Sequence, residues 1–591
     1  TASSLKFADS TQFSATAPQT SSLLTVSAPI GLQFGVNPGS IVNRSQASPN
    51  GAVNSLYFPA GLQVQTGKTL ALVSGDISLE GGNLTAAGGR IELGSFAGNS
   101  LVSLNSTPQG WALGYGSVQN FQDIQLSQQS VLDASGEGSG YIQIQGRDVL
   151  LKDNSQILAE TQGAKEAGDI TLNIRKLDIQ DGSQISTASS GFYLSEPPYL
   201  IPATGKGGNL IVNASESVKI SGTSTLDETF SGLLSATFGA GNAGDITVNT
   251  RRLIVRDGGI ITTESSDVIL PEQRIPATGK GGNLTVNAFE SVELTDGLSK
   301  PTGLLTATQG SGNAGDLKLN TGKLLVRDKA EVTLRSEGTG NAGNLDVTAK
   351  SIRLENGGKF TATSESGKGG GNITLNNQDL LLLRNNGEIS TSARGEGNGG
   401  NININTDILA ATDRSNITAK AVRGRGGNIQ IATQGLFVSP DGQINADSEQ
   451  GINGVVEINR PDVDPTSELV TLPAQIVDVS KLVASGCPAG GGNLARGTGE
   501  FVVTGRGGLP PNPAEATRSD TTLADLGRSV QAEENHASVA ISNNSTPANL
   551  APLVEANGWV TNSKGEVILT ANAPDFTTDI PWLKSTTCKG S

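Results

Sequence analysis

The sequence predicts an all-β chain: a parallel β-helix, or solenoid, with coils of 27–29 residues and a non-repeating C-terminal cap. Three observations carry this. A glycine-centred anchor recurs at regular spacing, apolar and polar residues alternate between anchors, and large side chains are scarce. Of 591 residues, 35% are hydrophobic and 4% aromatic, while glycine contributes 77. Such a composition favours turns over long helices and a core that is thin and long.

The anchor reads small-Gly-(Asp/Asn)-aliphatic-x-aliphatic-Asn. Its glycine falls at Gly140, Gly168, Gly208, Gly244, Gly282, Gly315, Gly343, Gly371, Gly400, Gly427 and Gly454. The short intervals are 27–29 residues, and the longer ones carry insertions such as "SSGFYLSEPPYLIPATGK" at 189–206. Within a unit the apolar residues run Ile246, Val248, then Leu253, Val255, then Ile261, with the turn pair Asp257-Gly258 between runs. Period two over short runs means strands, three per unit. One such unit cannot bury its apolar face, whereas stacked units share a continuous core. Ten intervals at about 4.8 Å per coil predict roughly 48 Å of regular rod.

The polar columns follow from the stacking. Equivalent residues of adjacent coils lie one strand spacing apart, so like charges in a column repel. The residue after the anchor glycine runs Asp169, Asn209, Asp245, Asn283, Asp316, then Asn344, Asn372, Asn401 and Asn428. Asn can donate to an Asp or another Asn above or below it, so this column is predicted to be a structural ladder. A second column, Lys176, Glu216, Arg252, Glu290, Lys323, alternates in sign. Together they explain why "GKGGNLIVNASESVKISG" at 205–222 returns 74 residues later as "GKGGNLTVNAFESVELTDG": the true repeat is a pair of coils of complementary charge. Asn283-Leu-Thr and Asn372-Ile-Thr also read as glycosylation sequons, the alternative role for two ladder positions.

Asp257, Asp296 and Asp328 share a third slot. Clustered carboxylates could bind calcium or serve acid-base cleavage of an acidic polysaccharide. Turn chemistry is the reading preferred, because this slot is usually followed by glycine, as at Asp181, Asp257, Asp296, Asn356 and Asp441. Arg256 and Arg327, which precede two of the aspartates, would neutralise them without a metal. The single histidine, His536, leaves no repeat-borne His metal cluster or Ser/His/Asp triad. No catalytic residue and no cofactor are expected. A net charge of −15 argues against nucleic acid, and no apolar run is long enough to be a transmembrane helix.

Residues 1–135 keep strand alternation without the strict period and read as irregular coils of the same helix. Residues 136–460 hold the regular repeats. Residues 461–591 read as a tail that covers the open sheet edge of the last coil, with a short helix candidate "DTTLADLG" capped by Asp520 and a hairpin in "GWVTNSKGEVILTA". The absence of Met suggests a processed or excised piece.

These segments carry a resemblance. "SLKFADSTQFSATAPQTSSLLTVSAPIGLQFGVNPGSIVN" resembles the later part of the secretion domain of cyanobacterial filamentous-haemagglutinin-like exoproteins. "AGDITVNTRRLIVRDGG" resembles their stem, and "GCPAGGG", "FVVTGRGGLPPNP" and "LVEANGWVTNSKGEVILTA" resemble their closing segment. The likeness spans essentially the whole chain, without the start of the secretion domain. It implies a right-handed β-helix exported by two-partner secretion through an outer-membrane β-barrel transporter to the extracellular surface. The expected function is a non-enzymatic structural or adhesive surface protein, building fibres or an S-layer-like coat and meeting surface polysaccharide or other cells. A carbohydrate-active β-helix enzyme acting on an acidic polysaccharide is the alternative. Export favours oxidation, so Cys487 and Cys588 are expected to form a disulfide, which would stabilise the tail by roughly 4–5 kcal/mol in the loop-entropy model. Head-to-tail self-association, with tail strands pairing to the N-terminal edge of a neighbour, is the expected mode of assembly.

Overall fold

Alternation dictates the architecture at the level of single strands. In Ile246–Arg256 the residues Ile246, Val248 and Thr250 point inward, Arg251 and Arg252 are both exposed, and Leu253 and Val255 point inward again. Two consecutive outward residues reset the phase and bend the strand, and the ladder register shifts at that place. Each long strand therefore supplies two faces of a coil. A short strand such as Ile260–Ser265 supplies the third.

A computed structural model describes residues 2–14, 27–108, 110–195, 198–270, 273–297, 301–365 and 369–460, with the backbone of Gly558–Thr561 and Val567–Thr570. The chain divides into two units, Thr1–Ala474 and Gln475–Ser591. The first contains a right-handed parallel β-helix with no α-helix among the described residues, and right-handed winding is the hand that parallel strand connections favour. Its third face is a 13-stranded parallel sheet running from Leu62–Gln63 to Gln443–Asn445. The first two faces share the long strands. They separate toward the N-terminus, where Tyr141–Gln145 pairs with the front half of Ile170–Gln180 and Asp148–Leu151 with its back half.

Aliphatic side chains stack in register through the interior. On the first face one column runs Ile170, Leu210, Ile246, Leu284, Leu317, Leu345, Ile373, Ile402, Ile429. All are fully buried, and one core cluster continues from Ile77 to Ala446. Ordering a thin, glycine-rich chain costs conformational entropy, and this uninterrupted apolar column opposes it. Two insertions leave the third face as antiparallel hairpins, Phe192–Ser195 with Pro198–Ile201 and Val268–Leu270 with Gln273–Ile275. The Gln273 side chain joins them, donating to Leu200 O at 3.1 Å and accepting from Leu200 N at 3.0 Å.

The N-terminal region contains an element that strand alternation alone does not indicate. Ser4–Phe7, Gln12–Ser14, Pro29–Gln33, Leu101–Thr107 and Gly110–Gly114 form a five-stranded antiparallel sheet. It is held to the helix by a second, smaller core in which Phe34 and Phe96 meet edge to face at 4.9 Å and Phe96 and Tyr115 at 6.4 Å. Coils of the helix begin within the same region, from Ile41–Asn43 and Thr69–Ser74 onward.

In the second unit, Gly558–Thr561 and Val567–Thr570 pair antiparallel. The helix candidate at 520–527, both cysteines and His536 lie outside the described residues.

Candidate functional site

The surface of the helix is organised by columns, and the post-anchor column shows what its residues do. Asn209 N donates to Asp169 Oδ1 at 2.8 Å, Asp245 N to Asn209 Oδ1 at 3.1 Å, and Asn283 N to Asp245 Oδ1 at 2.8 Å. The pattern continues through Asp316, Asn344, Asn372, Asn401 and Asn428 to Val455 N. Each side-chain oxygen thus caps a backbone N–H of the next coil. The common requirement is an acceptor, which either Asp or Asn supplies. Side-chain amides add a second bond at Asn283 to Asp245 (3.2 Å), Asn344 to Asp316 (3.1 Å) and Asn372 to Asn344 (2.9 Å). The amides of both sequon positions, Asn283 and Asn372, are therefore engaged between coils, where a glycan would break the contact.

An unbroken amide ladder stands elsewhere, on the last residue of the anchor. Asn213 Nδ2 donates to Asn173 Oδ1 at 2.9 Å, Asn249 to Asn213 at 2.8 Å, Asn287 to Asn249 at 2.9 Å and Asn320 to Asn287 at 2.8 Å. Replacing Asn249 by Ala removes two of these bonds and leaves Asn213 Oδ1 and Asn287 Nδ2 unpaired in a half-buried column. The expected loss of stability is about 2 kcal/mol, checked by urea unfolding of the Asn249→Ala chain.

At the bend between the first two faces, Glu216 receives Arg175 at 2.8 Å, Lys176 at 3.1 Å and Arg252 at 3.5 Å. Arg175 also pairs with Asp148, and Arg251 with Glu290 at 3.3 Å. The hydrogen bond from Lys176, with that from Arg175, holds Glu216 below the usual carboxylate range. Lys176, Glu216, Arg252 and Glu290 of the alternating column thus sit in cross-coil ion pairing, and Lys323 forms no ion pair among the described residues.

Of the turn column, Asp257 and Asp328 take left-handed φ values of 55° and 56°, as do Asp181 at 53° and Asn356 at 52°, the conformation that Asp and Asn tolerate best among residues with a Cβ. Arg256 lies 3.5 Å from Asp257 and Arg327 3.6 Å from Asp328. Among the described residues no group of three or more His, Cys, Asp or Glu is placed to hold a metal ion. Asp257 and Asp328 lie in left-handed turns, each beside its own arginine, and Asp296 stands in the coil between them, its N donating to Arg327 O at 3.4 Å.

The N-terminal sheet covers one charged group completely. Glu92, on Arg90–Ser95, is 0% exposed. Its Oε1 accepts from Arg90 at 3.3 Å and from Leu113 N, in the covering strand, at 3.4 Å. Its Oε2, Arg90 Nε and Tyr115 Oη are buried without a protein hydrogen-bond partner. Burial outweighs the Arg90 attraction and pushes Glu92 up to about 7; burial, then Glu92 itself, also raises the Tyr115 hydroxyl. With the ordinary value of 4.5 in the unfolded chain, the folded state binds the extra proton. The stabilisation is therefore complete below about pH 4.5 and is lost as pH rises through about 7. The span is worth about 3 kcal/mol. Unfolding in urea at pH 5 and pH 8.5 should show this difference, and Glu92→Gln should remove most of it.

The region built by these elements, residues 1–144, matches the family model of the TPS secretion domain. No curated protein and no solved structure matches the chain. The matched segment holds the described antiparallel sheet and the first coils of the parallel β-helix, so this part of the chain is similar to a secretion domain of two-partner export.

Proposed function

We propose that the chain is a non-enzymatic, structural or adhesive surface protein whose β-helix forms a stiff stalk of an extracellular fibre or S-layer-like coat, as in the cyanobacterial proteins it resembles. The observation that carries this is the secretion-domain match at 1–144 followed without interruption by stacked coils to Val456–Asn459. A stack of this kind supplies length and rigidity, and its outer columns of Asn, Thr and paired charges suit a surface that meets polysaccharide or other cells. The test is export from a Gram-negative host with and without a cognate transporter. The chain should reach the medium or the outer surface only with the transporter and only when residues 1–144 are present. Export of a chain lacking them at the same level would overturn the reading.

Assembly is proposed to be head to tail, through strands of the second unit pairing with the N-terminal edge of a neighbour. Deleting residues from Ser485 onward should abolish fibres in electron micrographs while the β-sheet signal persists; fibres from the truncated chain would sink the idea. A bridge between Cys487 and Cys588 is proposed to brace that unit, and two labelled thiols in the denatured, unreduced protein would rule it out.

A further inference from the structure

The third face carries a groove of about 420 Å³ near its N-terminal end. Its floor crosses four successive coils obliquely, from Thr85 to Asp133 stacked on it, then to Glu160, beyond the Asp133 partner Leu158, and to Ser190. Three coil intervals at about 4.8 Å give a trough of roughly 15 Å, a length suited to several linked sugar rings. One wall is the loop around Tyr57, and another is the inserted hairpin, which brings Phe192. Both rings are half exposed, Tyr57 at 54% and Phe192 at 49%.

The loop is held in an unusual shape. Tyr57 has φ 63°, a conformation that bulky side chains rarely adopt and that persists where the surroundings impose it. The cause is local: Asn54 Oδ1 accepts from Leu56 N and Phe58 N, both at 3.0 Å, and Tyr57 N donates to Asn54 O at 3.0 Å. Asp133 ties the loop to the floor, its Oδ2 accepting from Ser55 N at 2.6 Å and its Oδ1 from Ser135 N at 2.8 Å. Asn54 is 5% exposed, lines the groove, and its Nδ2 has no protein partner. Glu160 accepts from Ser186 Oγ at 3.0 Å, and burial raises its carboxyl above the usual range. Gln63 and Gln162 add amides, and among the described residues no Lys, Arg or His lines the groove.

We propose that this groove binds a neutral oligosaccharide, with Tyr57 and Phe192 stacking on sugar faces and Glu160, Gln63 and Gln162 bonding hydroxyls. Rings suit the apolar faces of pyranoses, and carboxyl and amide groups suit hydroxyls. Asp133 is a positioning residue that fixes the Tyr57 loop. Carboxyl groups without a cation disfavour uronic-acid or sulfated chains. The site is independent of the export reading, because it requires only the folded coils.

Calorimetric titration of the full chain with maltohexaose, cellohexaose, mannohexaose and hexagalacturonate tests it. At least one neutral hexaose should bind, and hexagalacturonate at least tenfold more weakly. Phe192→Ala and Tyr57→Asn should each weaken binding at least tenfold. Tyr57→Asn should leave the melting temperature unchanged or higher, since Asn accepts the left-handed backbone, whereas a purely structural Tyr57 would lower it. Binding by none of the neutral hexaoses, equal binding of the acidic one, or unchanged affinity in both variants would overturn the proposal.

Discussion

Gly315→Ala is expected to destabilise the helix by about 3 kcal/mol, at the upper end of the range for overpacking. A Cβ on Gly315 would lie 1.8 Å from Gly282 O, 2.4 Å from Gly282 C and 2.9 Å from Asn283 N. All three are backbone atoms of the coil before it, so no rotamer change can relieve the clash. The two coils would have to part where Asp316 N donates to Asn283 Oδ1 at 3.1 Å and Leu284 N to Asp316 O at 2.9 Å. The same close approach recurs along the anchor, as at Gly282, whose Cβ would sit 1.7 Å from Gly244 O. Glycine is thus demanded by the distance between coils, with no positive φ involved at either position. Gly116→Ala is the control, because nothing lies within 4 Å of its Cβ; it should change stability by no more than about 0.5 kcal/mol. Equal melting temperatures for the two variants would show that the coils can separate without cost.

The anchor period and the inward alternation made the β-helix legible because each coil repeats one environment. The glycine, the aliphatic pair and the outward polar residue each meet their own kind one coil away, so the sequence records the contact directly. Where the contact is with something unlike itself, the record fails. Glu92, in "GGRIELGSF", has the position of an outward polar residue, and only the covering strand Gly110–Gly114 makes it buried. That antiparallel sheet was not legible, since alternation does not state the direction of a partner. Asn173, Asn213, Asn249, Asn287 and Asn320 close the anchor motif in plain view. Their role as an amide ladder is not legible, because a recurring Asn reads the same whether its amide stacks on its own kind or faces water. In that column the hydrogen bonds run mainly from backbone N–H to side-chain oxygen, which is why acid and amide interchange there. The groove beside Tyr57 has no sequence signal at all: its parts come from an irregular loop, the edges of four coils and an insertion.

Phe360→Ala is expected to cost about 3–5 kcal/mol, the usual penalty for emptying a large buried ring position. Phe360 is fully buried and is the one aromatic residue in the main core cluster among the described residues. It stands in register between Val332 and Ile389 on the third face. Neither neighbour reaches the vacated volume, because the backbone spacing of the coils is fixed by their hydrogen-bond ladders. A solenoid transmits such a loss only to adjacent repeats, since each coil contacts chiefly the one before and the one after. Hydrogen exchange should therefore quicken most in Glu331–Ser336, Lys359–Ser364 and Glu388–Ala393, and little in Gly232–Thr237, several coils away. Uniform acceleration across the helix would mean that the described coils unfold as one cooperative body, and the nearest-neighbour picture of its stability would have to be given up.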